Sequence, residues 1–254
     1  IGCESPRLPI VVNVTANTEA PTVTSPVNYC QNAVASQLTA TGTNLLWYTT
    51  ATGGTGNATA PTPSTTTVGS TSYYVSQTQS CGESPRAVIV VNVSATPAAP
   101  GVNSPVTYCQ NSTASALTAT GNNLLWYAVA SGGTGSTTAP VPSTATVGST
   151  TYYVSQSNNG CEGPRASLTV NVNALPLAPT VTTPVNYCHN ATAAQLTATG
   201  NALLWYAAAT GGTGNAIAPT PSTATAGSTN YYVSQTVNGC ESPRAVIIVT
   251  VTAI

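Results

Sequence analysis

The stretch Ala166-Ser167-Leu168-Thr169-Val170-Asn171-Val172 alternates along its length. Leu168, Val170 and Val172 fall on one side, with Ser167, Thr169 and Asn171 on the other. A period of two is that of a β-strand with one face buried, whereas a helix needs a period near 3.6. An equally Val/Ile-rich segment follows Arg86 and Arg244, at the same place in a repeat of 79 residues.

That repeat organises the chain. Pro21, Pro100 and Pro179 open three copies, and Cys30, Cys109 and Cys188 keep the same spacing. Each copy carries Tyr-Cys, Leu-Thr-Ala-Thr, Leu-Leu-Trp-Tyr, Gly-Gly-Thr-Gly, Pro-x-Pro-Ser-Thr and Tyr-Tyr-Val-Ser-Gln, then a Cys-Glu-Ser-Pro-Arg-like turn before the Val/Ile-rich strand. Further strands are expected at 36–41, 44–49 and 72–77, separated by Gly, Pro and Asn clusters. Pro61 and Pro63 mark a loop or edge strand, because proline cannot donate to a ladder. About seven short strands per copy, without helical periodicity, predict an all-β chain of tandem β-sandwiches. The segments are 1–20, 21–99, 100–178 and 179–254. The first matches only the tail of a copy, Cys3-Glu4-Ser5-Pro6-Arg7 and Leu8–Thr15.

Composition excludes several function classes. The 254 residues include 46 Thr, five Glu, four Arg and one His, with no Asp, Lys, Met or Phe. A Ser-His-Asp triad or an Asp dyad cannot be built. Asp-rich calcium loops are missing, and four scattered Arg are too few for nucleic acid. No CxxC spacing exists for zinc, and no run reaches 18 apolar residues for a membrane helix. No catalytic, cofactor-binding or metal-ligating residues are assigned. Without Met or a leader pattern, the sequence reads as a processed piece, or a window, of an exported protein.

The seven Cys fall one pair to a copy, which predicts Cys30–Cys81, Cys109–Cys161 and Cys188–Cys240 as disulfides formed in an oxidising compartment. Cys3 is left over. Eight of the nine charged residues sit in the recurring turn, as Glu4/Arg7, Glu83/Arg86, Glu162/Arg165 and Glu241/Arg244. The expected use is an ion pair fixing that turn, or one reaching a neighbouring copy or subunit.

The string Tyr-Cys-Gln-Asn, Leu-Leu-Trp-Tyr, Gly-Gly-Thr-Gly, Tyr-Tyr-Val-Ser-Gln, Cys-Glu-Ser-Pro-Arg resembles the immunoglobulin-like tandem repeats of large secreted and cell-surface proteins of the Bacteroidota. The resemblance covers the whole chain. It implies Ig-like sandwiches in a spacer or adhesin, often type IX secretion cargo, with no catalytic residues. The pattern departs from antibody domains, where a Tyr precedes the second Cys by two residues. Here Tyr74 precedes Cys81 by seven, which places the expected bridge at one end of the sandwich.

Trp47, Trp126 and Trp205, one per copy, are expected in the cores rather than as sugar platforms. Tyr48, Tyr73, Tyr74 and their counterparts serve sheet pairing, some pointing outward. Gly53-Gly54-Thr55-Gly56 reads as a turn, since it lacks the Lys and helix of a phosphate loop. His189 stands where other copies have Gln31 and Gln110 and reads as neither ligand nor base. Val88, Val90, Val246 and Ile248 are outward apolar positions where the middle copy has Ser167 and Thr169, a candidate packing face. Asn13, Asn57, Asn92, Asn111 and Asn190 head glycosylation sequons.

The expected product is an extended rod with Pro/Ala linkers at 95–100 and 174–179, serving as a non-enzymatic segment of an extracellular stalk, adhesin or filament. Its expected partners are other copies of itself, in tandem or side by side, and surface glycans or host ligands. Two assembly readings stay open: a window of a long repeat protein, or a polymerising subunit that donates its N-terminal strand. Four tail strands against three bodies favour the window. A carbohydrate-binding or enzyme-accessory module is the other class, marked by exposed aromatics such as Tyr48 or Tyr127 in a groove.

Overall fold

The computed structural model describes residues 2–13 and 18–253. Its described residues contain no helix. Two compact units result: Ile1–Ala99 with Gln156–Pro164, and Pro100–Ser155 with Arg165–Ile254.

Repeat 1 has seven strands: β1 (Thr22–Val23), β2 (Val27–Cys30), β3 (Ala40–Thr41), β4 (Leu45–Tyr48), β5 (Gly69–Gln79), β6 (Gly82–Glu83) and β7 (Ala87–Ser94). The main sheet runs β2-β7-β5-β4, with β6 pairing β5 as a hairpin. β2 lies parallel to β7, and the other pairs are antiparallel. β1 and β3 pair separately. The other repeats reproduce the sheet with Val106–Cys109, Ala166–Asn173, Gly148–Ser155 and Leu125–Tyr127, and with Val185–Cys188, Ala245–Thr252, Gly227–Ser234 and Leu204–Tyr206.

Alternation builds the core. In β7, Ile89, Val91 and Val93 point inward and are buried, while Val88 points out and is 44% exposed. Leu38, Trp47, Val75, Ile89 and Val91 form one cluster, with Val23 and Ala40 of the small β1–β3 layer packed on it. Trp126 and Trp205 hold the same place in clusters with Leu117 and Leu168, and with Leu196 and Ile247. Trp47 also closes the edge of β4, because its N–H and C=O both bond Asn57 (2.8 and 3.0 Å). Only Ala40–Thr41 of the strand expected at 36–41 pairs as a strand, and the Leu38 N–H bonds Pro61 O instead. Proline thus serves as an acceptor in a segment where it cannot donate.

Described residues Gly2–Asn13 form no strand and are exposed, including Leu8, Ile10, Val11 and Val12. The strand expected over Leu8–Thr15 falls partly outside the described residues.

Truncating Ile89 to Ala removes a buried side chain and costs about 2–5 kcal/mol. Hydrogen exchange should show protection lost in the strands of repeat 1 while repeat 3 is unchanged. Equal loss in all repeats would mean that they do not have separate cores.

Candidate functional site

The cysteine pairing corrects the expectation from sequence. The disulfides are Cys30–Cys161 and Cys109–Cys240, each spanning 131 residues, so each joins one repeat to the next. None of Cys30–Cys81, Cys109–Cys161 or Cys188–Cys240 forms. Their reason for failing is the length of one strand. Cys30 pairs in register with Ser94 at the C-terminal end of β7. The β5–β6 hairpin that carries Cys81 lies beyond the N-terminal end, where Ala87 pairs Val75. Seven residue steps of β-strand separate the two ends by about 23 Å. A disulfide needs Cα atoms within about 7 Å, and those of the actual bridges are 5.5 and 5.6 Å apart.

Tyr-Cys therefore stands at the end from which the chain leaves a repeat. The Cys-Glu hairpin stands at the other end, where the next repeat presents it. In the second unit, the hairpin of Thr236–Val237 and Cys240–Glu241 meets repeat 2. Asn173 Nδ2 donates to Asn238 O (3.1 Å) beside the Cys109–Cys240 bridge. Val147, Leu175, Pro176 and Val237 line the adjoining groove.

The final Gln of Tyr-Tyr-Val-Ser-Gln ties down the incoming chain. Gln77 Nε2 donates to Glu19 O and Gln235 Nε2 to Leu177 O, both at 2.8 Å, while Gln156 Nε2 donates to Ala98 O at 2.9 Å. Each is a side chain reaching back 58 residues. Gly163 replaces the Ser84 and Ser242 of the other repeats, and a Cβ there would collide with Pro97 O. Sequence reading missed this role of Gln; its only trace was recurrence at a strand end.

The charged turn also differs from expectation. Among the described residues, no ion pair joins Glu83 to Arg86 or Glu241 to Arg244; both members of each set converge on a tyrosine. Glu83 Oε1 accepts from Tyr48 Oη and Ser76 Oγ, both at 2.6 Å. The Arg86 guanidinium lies 3.3 Å over the Tyr48 ring and Nη1 donates to Thr50 O (2.7 Å). Glu241, Tyr206, Ser234 and Arg244 repeat the set, with Nη1 on Ala208 O. Arg165 likewise covers Tyr127 and donates to Val129 O. A hydroxyl on a carboxylate is a charge-assisted bond, and a stacked guanidinium adds about 0.5–1 kcal/mol at an exposed site. The last Gly of Gly-Gly-Thr-Gly completes this latch. A Cβ on Gly56 or Gly214 would stand 2.6 Å from the tyrosine oxygen. Gly53 and Gly54 take positive φ, as the turn reading required. Glu4 and Arg7 are exposed in the N-terminal segment.

His189 performs the task of the Gln it replaces. Asn190 Nδ2 donates to its Nδ1 (3.1 Å), so Nε2 carries the proton and donates to Ala224 O (3.0 Å). Gln31 and Gln110 reach Thr66 O and Ala145 O in the same way. Asn57, Asn111 and Asn190 are exposed, whereas Asn92 Nδ2 is engaged with Asn28. The Asn13 sequon runs into residues outside those described. Val246 and Ile248 are each 39% exposed on the outward face of the last strand. Among the described residues, no group of three His, Cys or Glu could hold a metal.

Hydrogen bonds from Ser76 and then Tyr48, with the nearby Arg86 charge, hold the Glu83 carboxyl below the usual carboxylate range against a desolvation cost. Ser234, Tyr206 and Arg244 do the same for Glu241. A folded pKa below the unfolded one stabilises the fold above the unfolded value, and this stability is lost as pH falls through the folded value. Melting temperature should therefore drop below the usual carboxylate range. The double variant Glu83→Gln, Glu241→Gln should flatten that slope; an unchanged slope would show that the latch does not couple to folding.

Three stretches of the chain, 19–94, 97–174 and 176–252, match the family described as "Ig-like domain CHU_C associated". No curated protein matches the chain significantly. Solved structures similar to it include the titin I-band fragment I67–I69, at 13% identity and a TM-score of 0.39, covering 93% of this chain and 97% of that one. Human CDH23 EC21–23 matches at 10% identity and a TM-score of 0.29, covering 92% and 100%. Sidekick-1 immunoglobulin domains 1–4 match at 13% and 0.27, covering 91% and 76%. With most of its length matched in three successive copies, the chain belongs to the CHU_C-associated family of Ig-like domains, a Bacteroidota-associated type.

Proposed function

We propose that the chain is a non-enzymatic structural segment of an extracellular stalk, adhesin or filament, in which Ig-like modules are stapled to their neighbours. The observation that supports this is the pairing of Cys30 with Cys161 and Cys109 with Cys240. In the chain-entropy model, closing a single loop of that length contributes about 5 kcal/mol. Its position matters more: each bridge spans a short linker and limits how far two modules can separate. Disulfides of this kind persist outside the cytosol, which supports an extracellular setting. Lateral association through Val88, Val246 and Ile248, with the half-buried Val90 beside Val88, is part of the proposal, because outward apolar side chains gain from being covered.

The carbohydrate-binding reading has less support. Tyr48 and Tyr127 are each 7% exposed, and an arginine covers the ring of each. A sugar would have to displace that guanidinium to stack there.

Pulling the chain from its ends tests the mechanical role. The two bridges overlap in sequence, so the shortest covalent path crosses 29 residue steps to Cys30, 52 between Cys161 and Cys109, and 14 after Cys240. That path is about 340 Å fully extended, against about 900 Å for the reduced chain. Force spectroscopy should show the long extension only after reduction. Equal extensions before and after reduction would overturn the proposal.

A further inference from the structure

We propose that the exit end of repeat 3 is a docking seat for one further Ig-like module, whose Cys-Glu hairpin forms a disulfide with Cys188. The inference rests on junction geometry and holds whether or not the array bears load.

Repeats 1 and 2 define the seat. Cys30 and Cys109 pair in register with Ser94 and Asn173 at the end of the last strand. The next N–H closes on the same strand residue, from Gln31 to Ser94 O and from Gln110 to Asn173 O, both at 2.8 Å. An Asn with positive φ then turns the chain away, Asn32 at 63° and Asn111 at 62°. Repeat 3 builds the same backbone frame. Cys188 pairs with Thr252, the His189 N–H bonds Thr252 O at 2.9 Å, and Asn190 has φ 60°. Gly227, at φ 142°, takes the place of Gly69 (142°) and of the Gly148 (144°) that lines the groove under Val237. Cys188 is an exposed thiol. Cysteines at its position form bridges in both other repeats, so the seat is an established interface carried one module further.

The hairpins also specify the occupant. Both hairpins that dock read Asn-Gly-Cys-Glu, at Asn159–Glu162 and Asn238–Glu241, with Asn and Gly at positive φ and Cys on the strand that follows. Cys161 and Cys240 are buried there. Repeat 1 instead reads Ser80-Cys81-Gly82-Glu83. Its Cys and Gly are exchanged, so Gly82 stands where the other hairpins carry the bridging cysteine and Cys81 lies in the turn. A shift of one residue sends a side chain to the opposite face. The fitting partner is therefore a module with the Gly-Cys-Glu order, next in line after repeat 3, rather than repeat 1 of a second copy; the N-terminal Gly2-Cys3-Glu4 has that order but forms no hairpin. On bridging, the two thiols lose two protons and two electrons to a disulfide oxidant, which leaves as two thiols.

The test appends a second copy of residues 176–254 after Ile254. The product is refolded in oxidised and reduced glutathione, alkylated, and mapped without reduction. Cys188 should be joined to the cysteine 131 positions on, and its alkylation should fall at least about tenfold from that in the 254-residue chain. Persistent alkylation of Cys188, pairing of the added hairpin cysteine within its own repeat, or Cys188–Cys81 or Cys188–Cys3 dimers of the 254-residue chain would each overturn the inference. A second variant guards against misfolding of the added repeat. Cys81→Gly with Gly82→Cys restores the Gly-Cys-Glu order in repeat 1. It should convert the chain into disulfide-linked oligomers, which Cys188→Ser abolishes and the parent chain does not form. Failure to oligomerise would also overturn the inference.

Discussion

The length of one β-strand governs the arrangement of this chain. The last strand of each repeat holds Tyr-Cys against one end and leads from the Cys-Glu hairpin at the other. About 23 Å of strand lies between them, several times the reach of a disulfide. The two cysteines of a repeat are thereby prevented from meeting, and each becomes available to a neighbour. A bridge that would have stapled a small sandwich internally becomes a staple between sandwiches, set beside the linker. The recurring bond of the Gln side chain acts on the same place, holding the incoming backbone to the hairpin.

Scarcity of charge shapes the other recurring feature. Opposite charges on an exposed turn contribute little as a simple ion pair. Glu83 and Arg86 instead use Tyr48 as a common partner, the carboxylate on its hydroxyl and the guanidinium on its ring. One tyrosine thus joins β4 to the hairpin and to the start of β7. The neighbouring glycine must lack a side chain for the hydroxyl to fit. In repeat 3 the same latch anchors the hairpin within its own repeat, and the Cys109–Cys240 disulfide anchors that hairpin to repeat 2.

Much of this was legible in the sequence. The alternation of Leu168, Val170 and Val172 is a local signal, and so is the single Trp per copy; both follow from burial and need no knowledge of topology. The disulfides were not legible in the same way. Even spacing of Cys within a repeat looks like an internal pair, and only the parallel placement of β2 against β7 reveals that its members stand at opposite ends. The exchange of Cys and Gly in repeat 1 was visible in the letters, but acquired meaning only when Cys161 and Cys240 were seen buried on one face of the hairpin. The Glu/Arg turn was found by counting charges, while its tyrosine partner lies 35 residues away in sequence and came only from the fold.

The most direct test of the account is a peptide map of the oxidised chain, digested without reduction. Bridges between successive repeats yield fragments joining Cys30 to Cys161 and Cys109 to Cys240. Fragments joining Cys30 to Cys81 and Cys109 to Cys161 would contradict that pairing, because they would require the two ends of a strand to meet.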